Sequence, residues 1–357
     1  MRVQVVYHRN KKTDHQQSHF GYSATNFQPS IMSITKRVVK LDNSAVSVQN
    51  ARMSHAQQAQ ISSEACFVRA YAKVNLTLDV LSRLPDGYHE LATVMQTIDL
   101  HDTICLTATS DQRVHMICTI PALSNLDNLA ARAVDMVCQR LGWRQGVRIE
   151  LYKRIPLAAG LGGGSSDAAA VLLALQQWWQ LPFSAADLLS MAASLGSDVP
   201  FFLTGGLALC EGRGERVTPL AHYWPASMRW LLLLKPSISV STAEVFRALP
   251  ATDYTDGMHS KAVSAALNAN SDPPLEHLHN GLERSVLERY PAVARAREDL
   301  FSAGAAVVRL SGSGTTLYAP FAELASALHA HHQMQAMGYE VYLSRATHPS
   351  PGDVCLF

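Results

Sequence analysis

A glycine and serine run that leads straight into a strong helix pattern leaves a chain few options. Here it comprises Pro156, Leu157, Ala158, Ala159, Gly160, Leu161, Gly162, Gly163, Gly164, Ser165 and Ser166. The residues after Asp167, AAAVLLALQQWW, are apolar nearly all round, the pattern of a helix buried in a domain interior. Residues 147–152 alternate as a strand and deliver the chain into the run through Lys153 and Arg154, so the glycines sit at a strand-to-helix junction. Glycine lets backbone approach an anion closely, and the first N–H groups of a helix have no intrahelical acceptor; together they make a phosphate cradle. It is neither a Walker A loop, which would end in Gly-Lys-Ser/Thr, nor the dinucleotide fingerprint, whose glycine spacing differs. A plain turn before a helix stays open as the alternative on these residues alone.

Charge and composition narrow the partner. Lys and Arg number 30 against 29 Asp and Glu, so no global field draws the protein to nucleic acid or an anionic membrane. No apolar run approaches the roughly 18 residues of a membrane span. The six cysteines form no CxxC pair, which points to buried thiols in a reducing compartment rather than disulfides or zinc. The fifteen histidines form no HExxH motif, and the run at 329–332 reads as a solvated helix face. The expectation is a soluble protein whose partner is a small molecule, as a monomer or homodimer.

Residues 1–62 are rich in Ser, Gln and Asn and lack a sustained apolar period, so they read as a disordered extension or a start assigned too far upstream. Their basic, acid-poor character also suits a transit peptide, which would mean a plastid instead of a bacterial cytoplasm.

From Tyr71 the chain alternates strictly, with Tyr71, Lys73, Asn75, Thr77 and Asp79 on one face; this predicts a half-buried strand. A turn at residues 85–87 places Tyr88 and His89 at the start of the next extended stretch. Residues 103–109 and 113–119 read as strands. Asp127 and Asn128 can cap a helix that ends at Gly142, and Ser184 with Asp187 forms a capping box on a helix stopping near Gly196. Asp198 follows, at the lip of an apolar segment, where a cap or turn role is the ordinary one. Residues 230–234 predict a buried strand, and Ser241 with Glu244 a second capping box on the helix carrying Phe246. Residues 251–275 read as a surface loop, 305–310 and 315–318 as strands about a tight turn at Ser311, Gly312, Ser313 and Gly314. A helix over 322–337 and a strand over 339–343 follow.

Three ordered motifs, AKVNL at 72–76, GLGGGSSDAAA at 160–170 and LSGSG at 310–314, resemble the small-molecule kinases named for galactokinase, homoserine kinase, mevalonate kinase and phosphomevalonate kinase. With DGYHEL at 86–91 and SDVPFF at 197–202, the pattern is similar to the 4-diphosphocytidyl-2-C-methyl-D-erythritol kinases of non-mevalonate isoprenoid synthesis. The resemblance begins at about Val68. It implies an α+β GHMP-kinase fold, with an N-terminal domain (63–225) holding the ATP loop, a ferredoxin-like C-terminal domain (226–357), and the active site between them. It implies phosphoryl transfer from ATP, accompanied by Mg²⁺, to the 2-hydroxyl of the methylerythritol moiety. Carried onto this sequence, Asp198 is the catalytic base and Lys73 its partner. Asn75 holds the substrate, Tyr88 and Phe246 stack on the cytosine, and His89 reads its edge. Residues 156–166 and Asn128 bind ATP, and Ser311, Gly312 and Ser313 close over the site. No dedicated metal ligand is identified beyond help from Ser166. A sister kinase for homoserine or mevalonate has no use for DGYHEL, and a nucleotide-binding module without turnover needs neither Lys73 nor Asp198.

Overall fold

One 21-residue strand, β3 (His89–Thr109), is the spine on which the first sheet is assembled. Its N-terminal half pairs with β2 (Asp79–Arg83) and β6 (Leu207–Gly212), and its C-terminal half with β5 (Gly146–Tyr152). Along its middle it pairs with β1 (Cys66–Asn75). The computed structural model describes residues 65–142, 144–349 and 353–356, all within one compact unit. The extension expected over 1–62 lies outside the described residues. Strands β4 (Val114–Cys118), β7 (Arg216–Pro219) and β12 (Val354–Leu356) complete eight strands, β4 running parallel to β5 and every other pair antiparallel.

The expected strand at 103–109 is only the last third of β3, because Asp99, His101 and Asp102 break the apolar alternation upstream. The structure satisfies two of these acids from outside the strand. Asp102 Oδ1 accepts the N–H groups of Arg154 (2.5 Å) and Ile155 (2.8 Å), and Asp99 Oδ1 accepts the Ser344 hydroxyl (2.6 Å) and the Arg345 N–H (2.9 Å). Polar groups with such partners do not end a strand.

Four helices back this sheet. In α1 (Leu129–Leu141) the Asn128 side chain accepts from Ala130 N, and Gly142 closes the far end at φ +70°. Helix α2 (Gly163–Trp178) packs on β1 with Ala168, Ala169, Val171, Leu172, Ala174 and Leu175 fully enclosed, so its all-round apolarity is satisfied. Helix α3 (Ala185–Leu195) carries the Ser184–Asp187 capping box, both bonds formed, and α4 (Val199–Thr204) follows.

The second sheet runs β11 (Glu340–Ser344), β8 (Trp230–Lys235), β10 (Leu317–Phe321), β9 (Arg309–Leu310). Leu231 to Leu234 are fully buried in β8. Around it lie α5 (Thr242–Ala248), α6 (Met258–Asn268), α7 (Glu283–Arg289), α8 (Pro291–Ser302) and α9 (Leu324–Ala336), the last with His329 and His332 exposed. Side chains from both sheets, Val74 and Leu76 with Leu231, Leu233 and Tyr318, belong to one shared core cluster.

Four local expectations are corrected. The polar face of the strand from Tyr71 is not solvated: Lys73, Asn75, Thr77 and Asp79 are all buried under the second half of the chain. Residues 258–268, expected as loop, form α6, because Ser260 N and Oγ both donate to the buried Asp79 carboxylate and draw the segment onto the fold. The strand expected over 305–310 is only two residues long, Arg309–Leu310. Ser241 begins α5 without a side-chain cap bond, so the capping box there is not formed.

Candidate active site

The glycine loop owes its path to residues in the left-handed region, Ala158 (φ +49°), Gly160 (+76°) and Gly162 (+73°). Gly162 leads into α2, and the first-turn N–H groups of Gly163, Gly164 and Ser165 have no intrahelical acceptor. These residues, with Pro156 to Leu161, line a cavity of about 770 Å³. Donors at a helix N-terminus, open to a cavity, suit a polyphosphate. Ser166 does not join them. It is buried and its Oγ donates to the Tyr71 carbonyl at 2.6 Å, so Ser165 is the hydroxyl facing the cavity.

Lys73 enters the same cavity from β1. The β1–β3 ladder slips register between Tyr71 and Lys73, a bulge that re-aims the side chain, and Lys73 N donates to Leu161 O (3.0 Å) instead. Its Nζ donates to Asn75 Oδ1 and to Gly160 O (2.8 Å) and stands 3.7 Å from Asp198 Oδ2, an ion-pair distance too long for a direct hydrogen bond. Asn75 is held from behind by its Nδ2 donating to Thr93 Oγ1 (2.8 Å). Burial pushes the Lys73 ammonium below the ordinary lysine value, and the Asp198 charge opposes that shift. Asp198 precedes α4 without making a side-chain cap bond, so its carboxylate, a third exposed, is left to face Lys73 and the cavity.

Tyr88, His89 and Phe246 line the same cavity. The His89 ring lies 5.3 Å from that of Phe246, tilted by 32°, and its Nε2 is 3.2 Å from Tyr254 Oη. Burial and the Arg83 charge lower the His89 pKa, favouring the neutral imidazole, which can both donate and accept. Gly312 and Ser313 also line the cavity, and Ser311 Oγ donates to Gly160 O (3.1 Å). Asn128 is elsewhere: its Oδ1 caps α1, its Nδ2 donates to Leu123 O (3.0 Å), and only its neighbour Leu129 reaches the cavity.

Sequence reasoning missed two features. Beneath the glycine loop, Lys153 Nζ is buried between Asp102 and Asp167 (2.8 Å to the latter), tying the strand entering the loop to the helix leaving it. Two buried carboxylates and one ammonium leave Asp167 with a raised pKa of about 7, chiefly through burial, with Lys153 opposing the shift. Its signal was a charged residue at the head of an apolar helix. The second feature is Arg213, over the Tyr88 ring; nothing in a single sequence marks it.

A glycine loop at a helix N-terminus, a buried lysine beside a carboxylate, and a two-sheet α+β frame define a small-molecule kinase of the GHMP type. The pattern described as GHMP kinases N terminal domain matches residues 128–206, and that described as GHMP kinases C terminal matches 261–340. The 4-diphosphocytidyl-2-C-methyl-D-erythritol kinase of Pelotomaculum thermopropionicum is 40% identical over 282 residues, 78% of this chain and 97% of that protein. That of Brevibacillus brevis is 37% identical over 290 residues, 80% and 98%. A crystal structure of 4-(cytidine 5'-diphospho)-2C-methyl-D-erythritol kinase superposes with a TM-score of 0.66 at 35% identity, covering 79% of this chain and all of that one. Homoserine kinase from Cytophaga hutchinsonii, at 18% identity and a TM-score of 0.64, shares the fold alone. The chain belongs to the 4-diphosphocytidyl-2-C-methyl-D-erythritol kinase family.

Proposed function

We propose that the protein transfers the γ-phosphoryl group of ATP to the 2-hydroxyl of 4-diphosphocytidyl-2-C-methyl-D-erythritol. The observation that carries this reading is the Lys73–Asp198 pair, 3.7 Å apart, in one cavity between the glycine loop and the Tyr88, His89 and Phe246 cluster. Asp198 accepts the hydroxyl proton as the new O–P bond forms and the β–γ bridge breaks, and ADP departs with the displaced negative charge. The proton then passes to solvent, which reaches the Asp198 carboxylate. Lys73, 3.7 Å away, orients that carboxylate and stabilises charge on the transferring oxygens. Gly163, Gly164 and Ser165 hold the polyphosphate.

Magnesium accompanying ATP would supply charge neutralisation on the phosphates. Mg²⁺ prefers substrate phosphates and a few protein oxygens, so Ser165, which faces the cavity, fits it better than the enclosed Ser166. Tyr88 and Phe246 stack on cytosine and neutral His89 reads its edge. We place this activity in the bacterial cytoplasm.

The test is ADP release with the cytidylyl substrate, mevalonate and homoserine side by side. A higher kcat/KM for either of the last two would overturn the substrate assignment. A nucleotide-binding module would release no ADP with any of them.

A further inference from the structure

Tyr88 is 56% exposed and lines the cavity mouth, so a ring meant as a stacking platform there needs something to hold it. Two residues do so. The Arg213 guanidinium lies over the ring with Cζ 4.5 Å from its centroid, within the range of a cation–π contact. Asp86 binds both partners: Oδ1 accepts Tyr88 N (3.0 Å) and Oδ2 is ion-paired with Arg213. Asp86, Tyr88 and Arg213 therefore form a closed unit across 127 residues of sequence.

The arginine is aimed by its turn. Gly212 (φ +74°) and Gly214 (φ +112°) flank it between β6 and β7, and Arg213 N donates to Glu215 Oε2 (2.7 Å). The same turn reaches the reacting end of the cavity, where a Cβ on Gly214 would sit 3.7 Å from Ser197 O and 3.8 Å from Asp198 Oδ1. One short turn thus touches both the ring that would carry the base and the carboxylate that would take the proton.

We propose that Arg213 is a positioning residue for the nucleobase end of the substrate, acting through Tyr88 by covering one ring face and leaving the other for the base. This rests on the reading of Tyr88 as the cytosine platform. A planar guanidinium does this better than an ammonium, since both make a cation–π contact but only the former also stacks. The residue need not touch the substrate.

The experiment combines kinetics with calorimetric titration of cytidine 5'-diphosphate, a probe that needs no turnover. Arg213→Ala should raise the substrate KM and the cytidine diphosphate Kd by about 2- to 30-fold, the range of a cation–π contact, with kcat and the KM for ATP unchanged. Arg213→Lys should fall between wild type and Arg213→Ala, since it keeps the charge but loses the stacking plane, whereas a direct ionic contact with phosphate would be kept by lysine in full. In a Tyr88→Ala background, Arg213→Ala should add less than about twofold, because the two residues act as one. An unchanged or lower KM, or a full effect persisting without Tyr88, overturns the inference. Wild type that binds no cytidine diphosphate overturns the functional reading and this one with it; wild type that binds it, with an indifferent Arg213→Ala, overturns this one alone.

Discussion

A Cβ placed on Gly160 would lie 2.0 Å from the carbonyl oxygen of Ser311, a residue 151 positions further along the chain. The reverse contact is as close: a Cβ on Gly314 would lie 2.1 Å from Gly160 N. The glycine loop and the LSGSG turn are therefore stacked backbone on backbone. Gly160 O, fixed by this stacking, is also an acceptor for Lys73 Nζ. The turn supports the lysine through the loop.

Gly160→Ala should accordingly cost on the order of 2–4 kcal/mol, from overpacking against backbone plus a strained φ. In a chain of this size that is a fall of roughly 3–6 °C in Tm, read by calorimetry. The control is Gly304→Ala, where φ is +94° but no atom lies within 4 Å of the added methyl. Only the cost of the left-handed conformation, about 1–2 kcal/mol, applies there. Equal losses in the two variants would mean that the loop and turn are not in close contact.

Asp198→Asn should lower kcat by roughly two to four orders of magnitude, the usual loss for a positioned general base, with the KM for ATP little changed. Lys73→Met should be comparably damaging while leaving the fold intact, since methionine fills the lysine's buried channel. Steady-state ADP release measures both. Retention of more than about a tenth of the wild-type rate by Asp198→Asn would send the search for a base elsewhere.

Phe246→Ala and Tyr88→Ala should each raise the substrate KM by about 5- to 150-fold, the equivalent of a base–aromatic contact of roughly 1–3 kcal/mol, and leave the KM for ATP alone. His89→Ala should weaken binding and blur the preference for cytidine over uridine in the substrate. Phe246 packs on His89 directly, so the effects of removing both together should fall short of additive. Full additivity would show that the two rings act separately.

Acid should destabilise the protein partly through His279. Burial pushes its imidazole down to about 4, with His259 (rings stacked at 4.0 Å) and Arg309 acting in the same sense and Asp79 opposing. Its Nε2 is buried without a hydrogen-bond partner. The unfolded chain takes up this proton near the ordinary 6.5 and the folded one only near 4, so the unfolded state binds more protons between those values. The contribution is complete above pH 6.5 and falls away towards pH 4, by at most about 3 kcal/mol. Urea midpoints at pH 7.5 and 5 should differ less in His279→Gln than in wild type; parallel shifts would remove His279 from the account.

What this sequence determined by itself was local: the glycine loop at a strand-to-helix junction, the Asn128 and Ser184 caps, the buried β8, and the alternation that set Lys73 and Asn75 on one face of β1. Each is a property of one element's own period or terminal hydrogen bonds, which a short window contains. The motifs shared with known kinases added roles for residues whose positions in space remained unknown. Tertiary structure decided which side chains meet. It buried the face of β1 that alternation reads as solvated, freed Asp198 from capping to face Lys73, and seated the turn at Ser311 on the loop at Gly160. It turned Ser166 away from the cavity, kept Asn128 at its cap, and brought Arg213 over Tyr88. It also extended β3 through Asp99 and Asp102 and folded 258–268 into α6, because distant N–H and O–H groups satisfied carboxylates that would otherwise stop a strand or stay in water. Such pairings depend on contacts whose loop-closure cost is offset only when the whole core closes, and no window along the chain records them.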